Sequence, residues 1–213
     1  MAADSLKWGC AKMVVIRYQK MGLGAFIGEE EMLGCWGRVF NRAAINLDKD
    51  FSYKLFRPAD EGEESEDEYL VLNTPLKADK VESKIAELFP DWITVCDCFD
   101  FDDLEELIEI QTRNIFMINV PNFKLKEGML SKALDSLVEE KMIIAYKFED
   151  EGIKVAQSSI LSNTMCDIID GILVKNDIVS DFQIVRKKLM LEFADGLVWM
   201  KDYLEEKAKE TKV

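Results

Sequence analysis

Residues 114–157 read NIFMINVPNFKLKEGMLSKALDSLVEEKMIIAYKFEDEGIKVAQ, and this stretch decides the fold class. Asn114–Val120 is apolar and rich in β-formers, which reads as a core strand. Over Glu127–Lys141, Met129, Leu130, Ala133, Leu134, Leu137 and Val138 fall on one helical stripe. Lys132, Asp135, Ser136, Glu139 and Glu140 fall opposite, so the segment is an amphipathic helix. Met142–Phe148 and Ile153–Gln157 flank the turn residues Glu149-Asp150-Glu151-Gly152 and read as a hairpin. Strand, helix and hairpin in one short run specify a sheet with helices packed on it.

The upstream sequence extends this pattern. Lys12–Tyr18, Phe51–Phe56, Tyr69–Leu72 and Trp92–Cys98 read as strands, and Glu29–Phe40 as a short helix. Val81, Ile85, Leu88 and Phe89 recur at helical spacing behind an Asp79/Glu82 capping box, and Asp102/Glu105 opens a second short helix. Downstream, Ile160–Val174 is read as a helix. Ser180 with Gln183 is read as the cap of a long final helix running through Leu204. The expectation is an α+β fold: a mixed sheet of roughly five to seven strands, packed helices and a helical C-terminal region. Residues 1–158 are read as one mixed α/β domain, with a sub-boundary near 75 left open. Residues 159–213 are read as a helical region packed on it or on a partner. No internal repeat is visible in the sequence.

Composition limits function. Hydrophobic residues make up 48% of the 213 and charged residues 32%, the balance of a folded chain. The chain has 41 acidic and 27 basic residues and a net charge of −14, which argues against binding nucleic acid or anionic membranes. No apolar run reaches membrane-spanning length and the N-terminus lacks a signal pattern, so a cytoplasmic protein is expected. There is no histidine, which removes Ser-His and Cys-His nucleophile chemistry and histidine metal ligation from this chain. Five scattered cysteines read as small apolar residues, and the single Cys96-x-Cys98 has no second pair.

Four motifs invite chemistry. Asp97, Asp100 and Asp102 sit in an acidic cluster where a strand meets a helix, a placement that suits a magnesium or manganese site. Within it, Phe99-Asp100-Phe101-Asp102 resembles the aspartate-x-aspartate motif of haloacid-dehalogenase-type phosphatases, which implies phosphate chemistry. Structural capping of the helix by the same acids is the competing reading. Pro90-Asp91 followed by Glu109-Ile110-Gln111 resembles the PD-(D/E)xK nuclease pattern, with Gln111 in place of lysine. Gly22, Gly24 and Gly28 after a strand resemble a dinucleotide-binding turn, although Glu29-Glu30-Glu31 would repel a phosphate, and a glycine-rich turn or bulge is the alternative. Residues 127–157 resemble the recognition helix and wing of a winged-helix domain. They carry too many acids to cradle phosphate, so that resemblance implies protein binding.

Two further features point to a partner. Pro58–Glu68 (PADEGEESEDE) is read as a mobile acidic loop, solvated or docking on a basic surface. The final helix carries more apolar residues than one buried face needs, and Phe182, Leu189, Phe193 and Trp199 are its candidate partner contacts. The sequence therefore supports two functions of different classes. One is a non-catalytic interaction or regulatory protein without a cofactor. It binds a basic protein partner or a second copy through an acidic surface and the apolar C-terminal helix. The other is a magnesium- or manganese-dependent enzyme acting on phosphate substrates through Asp97, Asp100 and Asp102.

Overall fold

The computed structural model describes residues 13–45, 53–102, 104–158, 164–176 and 181–210. The expected cap Ser180, Asp103 of the acidic cluster, and Cys10 lie outside the described residues.

The first half runs β1 (Met13–Lys20), α1 (Glu29–Arg42), β2 (Tyr53–Phe56), β3 (Glu64–Asn73), α2 (Ala78–Ile85) and β4 (Ile93–Phe101). A connection carrying α3 (Leu104–Glu109) leads to β5 (Gln111–Asn119), α4 (Phe123–Glu139), β6 (Ala145–Glu149), β7 (Gly152–Ser158), α5 (Met165–Lys175) and β8 (Gln183–Phe193). Short β9 (Gly196–Trp199) and α6 (Met200–Glu210) follow. The expected α+β fold with a mixed sheet is what forms.

The sheet order is β4-β1-β3-β8-β5-β7-β6, with β2 also paired to β3 and β9 to β8. Both halves therefore run βαββαβ. Their strand orders, β4-β1-β3-β2 and β8-β5-β7-β6, are the same permutation. This is the split βαβ arrangement of ferredoxin-like folds, present twice. The repeat is invisible in the sequence because topology, not residue identity, is what recurs. Every pairing is antiparallel except β3 with β8, which run parallel where Glu64 and Ser65 meet Val185 and Arg186. That parallel contact joins the two halves into one sheet.

Strand alternation distributes the core. On β1, Val14, Ile16 and Tyr18 point to one face, where α1 delivers Met32, Trp36, Val39 and Phe40 at helical spacing. Trp36 is fully buried against Tyr18, Phe40 and Phe89, with ring centroids 4.7–5.5 Å apart. Met13 and Val15 point to the other face, which α3 and α6 cover with Leu107, Met200, Tyr203 and Leu204. A third cluster forms where α4 and α5 pack Leu130, Leu134, Ile169 and Ile172 on Phe116, Ile118, Val155 and Ile184.

Three expectations need correction. The helix expected over Ser180–Leu204 is instead strand β8, a tight hairpin into β9, and then α6, which begins only at Met200. Ile184 enters the second-half core, while Leu189 and Leu191 enter the core under α6. The apolar surplus is thus the two-sided burial of a central strand. Ala194-Asp195 forms the two-residue turn, and Gly196 after it has φ +144. Asp195-Gly196 was the turn signal to weigh against the 3–4 residue spacing. The C-terminal stretch read as purely helical thus supplies a strand lying between β3 and β5.

The second correction concerns Pro58–Glu68. Its latter half belongs to β3, and Glu63, Ser65, Asp67 and Glu68 are each at most 1% exposed. A run of carboxylates can be buried when each has a donor, and here each does. The winged-helix resemblance is not realised either, because the β6–β7 hairpin extends the sheet through β5 and α4 packs on that sheet. The glycine-rich segment forms a 3-10 turn over Gly22–Phe26. There a side chain at Gly24 would come within 2.9 Å of Trp92. The close approach that requires glycine is to an indole of the same chain.

Candidate functional site

The acidic segment builds the joint between the halves. Asp67, fully buried, accepts from Arg17 Nε (2.7 Å) and the Tyr69 hydroxyl (2.9 Å). It also accepts from the Leu189 backbone N–H (2.7 Å) and Trp199 Nε1 (2.8 Å). Glu68 pairs with Arg186, whose guanidinium also donates to the Asp67 and Arg57 carbonyls and to Ser65 Oγ. Glu63 accepts from the Met165 N–H at the start of α5 and from the Asp60 N–H. Burial, reinforced by nearby Asp60, pushes the Glu63 carboxyl up to about 7. Lys20, 3% exposed, donates to the Ala59 and Asp60 carbonyls, and burial lowers its pKa. These groups hold β3, β8 and the start of α5 together. They are turned inward, so they present no acidic face to a partner.

A different acidic surface exists at the end of the sheet. Among the described residues β4 pairs only with β1, so its other edge carries no strand. Helix α2 packs on one face of this edge and α6 on the other, leaving a cleft of about 700 Å³ between them. Asp79 and Glu82 of α2, Asp100 and Asp102 at the end of β4, and Glu205 of α6 line it, and Lys77 and Lys209 are the bases among the described lining residues. Glu205 is paired with Lys201 at 3.0 Å; the other four carboxylates outnumber the two lysines among the described lining residues and give the cleft a negative field.

The expected metal ligands are only partly gathered here. Strand alternation sends Asp97 to one face of β4 and Asp100 to the other. Asp97 pairs with Arg17 at 2.9 Å, beside Asp67. Asp100 Oδ1 accepts the Ala78 N–H at 2.9 Å and so caps α2, a role the sequence reading gave to an Asp79/Glu82 box. Asp102 is exposed on the cleft rim. Among the described residues no group of three Asp, Glu, Cys or His side chains could hold a metal ion.

The expected partner contacts are scattered because their segment is a strand. Leu189 is fully buried, and Phe182 and Phe193 pack partly buried against different core clusters. Trp199 is half-buried, with its N–H on Asp67 and the Arg17 and Lys188 cations 5.1 and 4.3 Å from its ring centroid. It pins β9 to the joint. In the nuclease-like pattern, Glu109 ends α3 and Gln111 opens β5, and both are exposed. The chemistry on offer from sulfur is limited: burial raises the thiol pKa of Cys35, Cys96, Cys166 and Cys98, the last to about 12. A reactive thiol needs the opposite shift.

Sequence reading missed Lys77, Glu82 and Glu205 as neighbours of Asp102. Nothing in their local sequence marks them, since only the sheet order makes β4 an edge and brings α6 beside it. Among the described residues no helix is long and apolar enough to cross a membrane.

No protein-family model matches the chain, and no curated protein matches it. Among solved structures, the chain aligns with a crystal structure assigned to a glycine cleavage system transcriptional repressor. The identity is 8% and the TM-score 0.24, over 84% of this chain and 99% of that one.

Proposed function

We propose that this chain is a non-catalytic interaction or regulatory protein that engages a basic protein partner at the acidic cleft between α2, β4 and α6. The carrying observation is the cleft itself, five carboxylates around a sheet edge that no described strand covers. The distribution of the remaining charge supports the same reading. Asp67, Glu68, Arg17 and Arg186 satisfy one another, so the joint is a structural device rather than a site awaiting substrate. Helix α6 contributes one wall, which retains the C-terminal helix as a partner-facing element while its apolar side stays in the core.

The test is retention of partner proteins from a lysate of the source cells on immobilised chain. Comparison is with a Glu82→Lys/Asp102→Lys variant, both positions being exposed. A retained species that is lost on charge reversal and weakened by salt supports the reading. Retention unchanged by the reversal contradicts it. The metal-enzyme reading has no structural observation in its favour, given the separate engagements of Asp97 and Asp100.

A further inference from the structure

We infer that the β4 edge accepts an extended, lysine- or arginine-bearing segment of a partner as an added antiparallel or parallel strand. This inference rests on the acidic-cleft reading above and specifies its occupant. Asp97–Phe101 pairs with Met13–Arg17 in unbroken register, whereas the ladder shifts at Cys96. Beyond the shift, Ile93–Val95 pair with Tyr18–Lys20 in an offset register, so an added strand would need a matching bulge to continue past Cys96. The continuous part is five residues, about 17 Å at strand rise. In a ladder, alternate residues turn their N–H and C=O away from the existing neighbour; on β4 the partly exposed Cys98 and Asp100 line the cleft, while Phe99 and Phe101 are buried. An extended backbone satisfies such a row. A helix cannot, because its own groups are already bonded.

The acids select the charge of the incoming strand. Asp79 and Glu82 stand on the α2 wall and Asp102 follows the end of β4, so side chains leaving the α2 face of an added strand meet carboxylates; on the α6 wall Glu205 is paired with Lys201 at 3.0 Å. A second copy of this chain is disfavoured. Edge-to-edge pairing would bring two sets of β4 acids together between molecules of net charge −14.

The experiment uses the full chain and three labelled eight-residue peptides, followed by fluorescence anisotropy. One alternates lysine with valine, one alternates glutamate with valine, and the third is the lysine peptide N-methylated at every backbone amide, which leaves neither edge able to donate. Strand addition predicts binding of the lysine peptide and none of the glutamate peptide. It also predicts at least a tenfold loss for the methylated one, which keeps every charge but cannot complete a ladder. Glu82→Lys/Asp102→Lys should weaken the lysine peptide at least tenfold with its melting temperature retained. Equal binding of methylated and unmethylated peptides overturns strand addition while leaving acidic-cleft docking intact. No peptide binding, with partner retention still lost on charge reversal, also overturns it and makes the β4 acids guards of the edge. If neither peptide nor partner binds, both readings fall.

Discussion

Arg186 Nη2 donates to Glu68 Oε1 across 2.6 Å, with the two side chains 0% and 1% exposed. They come from strands 118 residues apart in sequence and meet where the two βαββαβ halves share a parallel pairing. A buried ion pair contributes little net stability when intact, because desolvation offsets the attraction. Losing one partner is another matter.

Arg186→Met should therefore destabilise the fold by about 3–5 kcal/mol, since Glu68 is left buried without its cation. It also orphans the Asp67 and Arg57 carbonyls. Adding Glu68→Leu should return part of that loss but not all of it, because those carbonyls stay unsatisfied. Urea midpoints of the two single variants and the double variant measure the coupling. Additive losses would place the Arg186 contribution in its other contacts.

Asp67→Asn tests the four-donor site. An amide keeps one acceptor oxygen, and its NH₂ confronts donors, so Arg17, Leu189 N–H or Trp199 loses its acceptor. The expected loss is about 1–3 kcal/mol. Trp199 emission should shift as β9 loosens, and a Trp199→Phe background should remove that optical change while the stability loss remains.

Glu63 gives a pH dependence whose sign follows from its shift. Burial and Asp60 raise it from 4.5 to about 7, while Arg186 and the Met165 and Asp60 N–H groups pull it down by less. The folded state thus holds a proton that the unfolded state releases. The contribution is fully present below about pH 4.5 and is lost as pH rises through 7. Glu63→Gln should flatten this part of the stability profile, so wild type minus variant declines between pH 4.5 and 7. A difference that rises over that interval would mean the carboxylate is stabilised ionised at the start of α5.

How much of this was legible in the sequence differs by region. Asn114–Gln157 was readable because α4 keeps a solvent-facing side and the 3.6 period stands clear, the β6–β7 turn residues mark a hairpin, and the apolar β-formers of β5, with Phe116, Met117 and Ile118 all buried, mark a core strand by composition. Gln183–Trp199 was not. A strand buried on both faces loses its alternation, and Phe182, Val185, Leu189 and Phe193 fell at helical spacing by coincidence. The acidic run was misread for a related reason. Composition says that Glu63, Asp67 and Glu68 are charged, but several of the donors that permit burial, Met165, Arg186, Leu189 and Trp199, lie about a hundred residues or more away. Of the site, Asp100 and Asp102 were singled out together, Asp97 lies on the other face with Arg17, and the remaining neighbours follow from sheet order alone.

The cleft claim is tested most directly by hydrogen–deuterium exchange on the chain with and without a saturating amount of its retained partner. Protection should be gained at the Asp97–Phe101 amides and along the walls at residues 77–82 and 205–209. Protection confined to other surfaces, such as the exposed Leu125 and Met129 of α4, with residues 97–101 unchanged, would contradict the account.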